Sequence, residues 1–201
     1  MPNWDEDSPQ LRHNLAQVLK DILSAAGKRE KPTLKTARAW HTLIMRGLNV
    51  PNPRSIGRFR GEQGLENIQV RVGSNYGVNS VALAAELTRF EVKLQELVAE
   101  LDALAPLGRE LNADHLAAIV DLCAWAHAVW VRIHPFANGN GRIARLWANY
   151  LAVRYGLPPF VRLRPRPNAG YERAAAQAMN GNWKPTAIIF RQLLDDLLTG
   201  A

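Results

Sequence analysis

The stretch His134-Pro135-Phe136-Ala137-Asn138-Gly139-Asn140-Gly141-Arg142-Ile143-Ala144-Arg145 gathers one imidazole, two glycines and two guanidinium groups in a short run. Pro135 forces the chain out of any preceding helix one residue after the histidine. The glycines let backbone amides turn inward with no Cβ in the way, which makes a nest for an anion. A helix that starts at such a nest adds its own free N–H groups and the positive end of its dipole. Arg142 and Arg145 are three residues apart, hence on one side of that helix, and their forked donors suit phosphate oxygens. His134 at the mouth of the cradle titrates near neutral pH and can accept a proton. A base beside a polyphosphate site implies attack by a hydroxyl on phosphorus, that is, phosphoryl or nucleotidyl transfer.

Each piece alone has a plain structural use. A histidine at a helix end caps it, Gly-Asn-Gly makes a turn, and helix arginines face water. Phe136 is expected in the core, anchoring the loop from beneath. Their occurrence together, in order and between two helical patterns, favours chemistry. Cys123 and His127 lie four residues apart and with His134 could make three metal ligands. The face they share is strongly apolar, so packing is the expectation there. Trp125, Trp130 and Trp147 are expected in or at the edge of the core, and His41 and His115 receive no role.

Helices must position this loop. Ser8 or Pro9 opens a helix carrying Leu11, Leu15, Val18, Leu19, Ile22 and Leu23, which stops near Gly27. Thr33 is a candidate N-cap for a second, with Leu34, Ala37, Trp40, His41, Ile44 and Met45 along one side as far as Gly47. Glycines punctuate 56–78, and Ile68-Gln69-Val70-Arg71-Val72 alternates apolar and polar residues, the one good strand signal, read as part of a short hairpin. A long helix is expected from about Asn79 to Ala105, and another from Asn112 or Asp114 to the histidine, apolar around much of its circumference as a central helix should be. Further helices are expected from about Arg142 to Gly156, Ala169 to Met179 and Pro185 to Leu197. The fold class is all-α, a helical bundle with a small β-hairpin. Residues 1–32 form an N-terminal helix and basic linker, and residues 33–201 the domain that carries the site.

The 201 residues suffice for one sizeable core, with 47% hydrophobic and 21% charged residues. No apolar run approaches the roughly 18 residues a membrane span needs, and the acidic start is unlike a secretory signal. The single cysteine excludes an internal disulfide framework and fits a reducing compartment; a cytoplasmic location, without membrane association, is the simple expectation. A net charge of +7 attracts nucleic acid, acidic proteins and polyphosphates alike. The arginines cluster at 54, 58 and 60, at 142, 145 and 154, and at 162, 164 and 166, with no helix-turn-helix, zinc-finger or RNA-binding signature beside them. Nucleic acid is therefore not expected as the direct substrate.

The run from His134 to Arg145 resembles the signature of the Fic family, His-x-Phe-x-(acidic)-Gly-Asn-Gly-Arg-x-x-Arg, matching at every defined position but one. Ile56-Gly57-Arg58-Phe59-Arg60 with Ile68–Val72 looks like that family's flap, a hairpin over the active site, and the resemblance extends from about Thr33 to Leu198. It implies a protein adenylyltransferase that moves AMP from ATP, with Mg²⁺, to a Ser, Thr or Tyr hydroxyl of a target protein. His134 would take the proton of that hydroxyl. Gly139, Asn140 and Gly141 would hold the α- and β-phosphates, Arg142 would assist the leaving pyrophosphate and Arg145 would reach the γ-phosphate. Ile68, Gln69, Val70, Arg71 and Val72 would dock the target by strand addition, and Tyr171 would line the base pocket.

Asn138 stands where the family has a metal-binding Asp or Glu. Its amide oxygen can contact Mg²⁺ directly or through water but brings no charge, which shifts phosphate compensation onto Arg142 and Arg145. Slower AMP transfer, another nucleotide-linked donor, and nucleotide binding without chemistry are all compatible with this change. The intact base, nest and arginines favour transfer. The inhibitory pattern many relatives carry, Ser or Thr followed four residues later by Glu and then Gly or Asn, does not occur in the sequence. An antitoxin-like partner chain could supply that glutamate, and an unrestrained transferase of this size would resemble a bacterial toxin or effector.

Overall fold

The computed structural model describes residues 1–167 and 169–200, and of Ala169 the backbone alone. Its helices are α1 (Pro9–Gly27), α2 (Leu34–Met45), α3 (Ser80–Leu104), α4 (Ala113–Ile133), α5 (Asn140–Arg154), α6 (Ala169–Met179) and α7 (Lys184–Thr199). Four start at a side chain that closes the first turn. The oxygens of Ser8, Thr33, Asn79 and Asn112 accept from the N–H groups of Leu11, Thr36, Val81 and His115 at 2.9–3.3 Å. Helix α5 is different. Its N-cap is Gly139, in the left-handed conformation, and no side chain caps it. No side-chain oxygen therefore closes the first amides of that helix.

Helix α4 is the hub, packed against α5, α7, α6 and α3. Ile119, Cys123, Ala124, Ala126, His127, Trp130 and Ile133 are all fully buried, so its apolar circumference reflects neighbours on nearly every side. Among the described residues, α4 is the one helix long and apolar enough to cross a bilayer, with a mean hydropathy of 1.5. This corrects the expectation that no apolar run approaches a membrane span: polar residues such as Asp114 and Asp121 interrupt the pattern, and in the fold most of these side chains are covered by other helices. Trp130 and Trp147 meet edge to face with ring centroids 5.9 Å apart, joining α4 to α5.

Helix α1 lies against α5 and α2, and Leu11, Val18, Ile22 and Ala26 belong to the common core. Asn14, buried in α1, donates to the carbonyls of Ile44 and Arg46 at 2.9 and 2.7 Å, closing the end of α2. The stretch after α1 is tied down as well. Arg154 donates to Glu30 O at 2.9 Å and binds Asp102 through both Nε and Nη2, while Arg29 reaches Ala105 O at 2.8 Å.

The expected strand Ile68–Val72 contracts to β1 (Arg71–Val72), paired antiparallel with β2 (Asn75–Tyr76). Gly77 N–H donates to Val70 O at 3.0 Å and continues the ladder by one pair. Before that, the Ile68 carbonyl is taken by Arg60 rather than by a strand. Residues 56–66 are likewise turns and not part of the hairpin. Both β1 residues are exposed, so the alternation there does not divide a buried face from a wet one.

Candidate functional site

His134 ends α4 in the left-handed conformation, φ 53°, with its N–H donating to Trp130 O at 2.9 Å. Its Nδ1–H donates to Val131 O at 3.0 Å. That bond fixes the tautomer and leaves Nε2 as the lone-pair nitrogen, the arrangement a general base requires. Burial, together with the nearby Arg60 charge, lowers its pKa from the usual value despite the opposing Val131 bond, so the ring is neutral at neutral pH.

The loop after His134 is held by residues whose roles were not foreseen. Asn140 accepts from Phe136 N–H at 2.9 Å and donates to Phe136 O at 2.7 Å. Its side chain is thus spent inside the loop, which leaves its main-chain N–H, at the first position of α5, as the group suited to an anion. Phe136 is fully buried, as expected, and stacks on His41 with centroids 3.9 Å apart and planes 9° from parallel. His41 Nδ1 accepts from Gly57 N–H at 2.9 Å, so Nε2 carries the proton and donates to Asn138 O at 3.3 Å. Burial drives its pKa down to about 4, and the ring stays neutral. Gly139 suits its place: φ is 73°, a conformation that favours glycine, and a Cβ there would have to push aside Met45 Cε, 2.6 Å away.

Arg60 is the other unforeseen residue. It is buried, and it donates to four carbonyls: His134 at 2.8 Å, Ile68 at 3.1 Å, Val78 at 2.8 Å and Ile133 at 3.2 Å. A cation thus caps the C-terminus of α4 and clamps the base of the hairpin to it. Gly77 allows the close approach, since a Cβ would lie 2.7 Å from His134 Cβ. Only the proximity of an arginine to a glycine-rich stretch hinted at this in the sequence.

Arg142 and Arg145 are both buried, each 4% exposed, and both line the cavity with His134. Arg142 donates to Trp4 O at 2.9 Å and Asp5 Oδ1 at 3.2 Å. Arg145 donates to Leu163 O at 2.9 Å and to the Tyr171 hydroxyl at 3.3 Å. That hydroxyl also bonds His127 Nε2 at 2.7 Å, so Tyr171 lends its ring to the cavity while its oxygen braces Arg145. His127 and Cys123 are fully buried, and burial pushes the Cys123 thiol up and His127 down to about 3. Their positions are those of packing residues, as the apolar face suggested.

The cavity holds about 620 Å³ and is walled by Val70–Asn75 of the hairpin, the loop 137–141 and Ala175, Ala176 and Met179 of α6. Asn138 Oδ1 is buried there without a hydrogen-bond partner. The described residues contain no group of three His, Cys, Asp or Glu. The donor set therefore fits a hard cation that takes one amide oxygen from the chain and the rest of its shell from phosphate oxygens and water.

The sequence model of the Fic/DOC family matches residues 31–152. Two curated proteins named "Protein adenylyltransferase Fic" align over 159 residues and 78% of this chain: that of Drosophila melanogaster at 46% identity, covering 27% of its length, and that of Drosophila erecta at 31%, covering 26%. The chain thus spans about a quarter of the length of these relatives. Among solved structures, a Fic domain containing signaling protein from Bacteroides thetaiotaomicron superposes with a TM-score of 0.68 at 20% identity, covering 94% of this chain and 69% of that one. BepC, a VirB-translocated effector of Bartonella tribocorum with bound AMPPNP, gives 0.56 at 18% identity, covering 96% and 90%. These two show a shared fold.

Proposed function

The chain belongs to the Fic/DOC family, and from that premise we propose that it transfers AMP from ATP to a Ser, Thr or Tyr hydroxyl of a target protein. The observation that carries the reading is His134, its Nδ1–H bonded to Val131 O and its Nε2 free to accept, on the wall of the cavity that also holds the open start of α5. The names of the curated relatives and the nucleotide bound by BepC support the donor.

In this reaction the target hydroxyl oxygen attacks the α-phosphorus while Nε2 takes its proton. An O–P bond to the target forms and the bond from the α-phosphorus to the bridging oxygen breaks. The pyrophosphate that leaves carries charge onto the amides of Gly139, Asn140 and Gly141 and onto Arg142 and Arg145, donors fixed in place beforehand. A magnesium ion held by Asn138 Oδ1 would neutralise phosphate charge. The target is held by strand addition at the hairpin. Val70 O and the Val72–Asn75 pair face β2, so the main-chain groups of Gln69 and Arg71 lie on the free edge of the Ile68–Val72 segment.

The test is transfer from ATP labelled at the α- or γ-phosphate. Label reaches protein from the α-position alone, and His134→Ala lowers the rate by about 100- to 10,000-fold with the fold intact. Label arriving only from the γ-position, or an unchanged rate in His134→Ala, overturns the proposal.

A further inference from the structure

The phosphate cradle contains a second set of contacts outside the His134–Arg145 run. Arg164 and Arg166 line the same cavity as Arg142 and Arg145, and Arg142 and Arg164 both contact the segment ahead of α1. That segment, whose Trp4 and Asp5 form part of the cavity wall, is pinned in place. Trp4 N–H donates to Asn49 O at 3.0 Å, and Asn49 N–H donates to Pro2 O at 2.7 Å. Trp4 and Asp5 are thereby laid over the start of α5. Arg142 Nη2 donates to Trp4 O and to Asp5 Oδ1, and its guanidinium carbon is 5.1 Å from the Trp4 ring centre. Arg164 donates to Asp5 O at 2.7 Å and to Asp5 Oδ1 at 3.4 Å, and it lies 3.8 Å from Asp7.

Asp5, even with Asp7 3.8 Å from Arg164 and Glu172 also on the cavity wall, leaves guanidinium donors unmatched. Arg142 Nη1 and Arg145 Nε remain buried with no hydrogen-bond partner, although each residue is 4% exposed. Burial pulls Arg142 down to about 10, with Asp5 opposing and Arg145 and Arg164 adding to the shift. An anion with more oxygens and more charge than a carboxylate would satisfy the unpaired donors. The Asp5 side chain is itself half exposed, so its hold is screened by water and weak.

We propose that Arg164 is a third arginine of the polyphosphate site and that the Pro2–Asp7 segment is its displaceable occupant, with the Asp5 carboxylate standing where a phosphate group of the ligand goes. The ligand class, a nucleoside triphosphate, rests on the function proposed above. Binding then requires the segment to lift from Arg142 and Arg164, and ligand affinity is reduced by the fraction of molecules in which it is down.

Calorimetry on the full chain, with inorganic tripolyphosphate and separately with adenosine, tests this. Asp5→Asn should tighten tripolyphosphate binding several-fold, to about tenfold, and leave adenosine binding unchanged. Arg164→Gln should weaken tripolyphosphate binding by a similar factor, and the gain from Asp5→Asn should shrink in the double variant. Unchanged or weakened tripolyphosphate binding in Asp5→Asn overturns the proposal, as does an equal gain for adenosine, no effect of Arg164→Gln, or no tripolyphosphate binding in any form. Tripolyphosphate has no adenylyl group to transfer. A chain that binds it in the expected way yet never labels a target would contradict the transferase reading alone, and a labelling enzyme indifferent to Asp5→Asn would contradict this inference alone.

Discussion

At the scale of the residue, the account turns on which nitrogen of one imidazole is free. His134 is oriented by Val131 O on one side and by the Arg60 bond to its own carbonyl on the other. The active form is the neutral ring, and burial lowers its pKa, so the proton that would disable it binds only below the usual histidine range. Transfer should therefore be flat with pH through neutrality and fall only on acidification past pH about 6.5; a rate that already falls between pH 8 and 7 contradicts the assignment. Asn138 yields a second expectation. Its orphaned oxygen supplies no charge to a cation, so Asn138→Asp should raise magnesium-dependent transfer and lower the magnesium concentration needed for half-maximal rate. An unchanged magnesium dependence would place the cation away from this side chain. The sequence displayed the base, the glycines and both arginines because the motif is contiguous. It concealed His41 and Arg60, whose work depends on partners 97 and 74 residues away.

At the scale of the element, the hairpin and the end of α4 form one unit. Arg60 gathers carbonyls from both, and Gly77 lets them touch. Arg60→Met keeps the length of the side chain and removes every donor, stranding carbonyls in a mostly closed space. We expect a loss of about 2–4 kcal/mol from unsatisfied groups, read as a lower midpoint in urea unfolding. Gly77→Ala should lower the midpoint as well as cut transfer, since the added methyl, 2.7 Å from His134 Cβ, displaces either the hairpin or His134. A Gly77→Ala enzyme of full activity would show that their contact does not matter. The helices themselves were legible from their caps and apolar spacing, Ser8, Thr33 and Asn112 among them. The hairpin is present, but its first strand is shorter than the alternation suggests: a period of two normally reports one buried face, and here the Ile68 carbonyl is tied to Arg60 while both β1 residues stay wet. The start of α5 was placed at Arg142 because Gly-Asn-Gly reads as a turn; in the fold, Asn140 and Gly141 are already helical, which brings their amides to the site.

At the scale of the molecule, four of the 25 Lys and Arg side chains are drawn inside. Arg60, Arg142, Arg145 and Arg154 are buried among carbonyls, Asp5 and Asp102, and do not form an outward patch. The fold also buries two neutral histidines. His41 and His127 have folded pKa values of about 4 and 3, below the unfolded value near 6.5. The unfolded chain therefore binds more protons in that window, and stability present above pH 6.5 is lost as pH falls through it, at about 1.4 kcal/mol per pH unit for each ring. Urea midpoints measured from pH 7 to 5 should drop accordingly, and a flat profile would mean that these rings are not buried neutral. The same burial keeps His41 available to hold Asn138 and His127 to brace Tyr171 against Arg145, so the core and the site share their polar members. The most direct measurement of the central claim is intact-mass analysis of proteins incubated with ATP and the wild-type or His134→Ala chain, with nucleotide binding verified in both. The account expects a product heavier by one adenylyl group with wild type and none with the variant. An identical product from both chains, or none from a wild type that binds ATP, would contradict it.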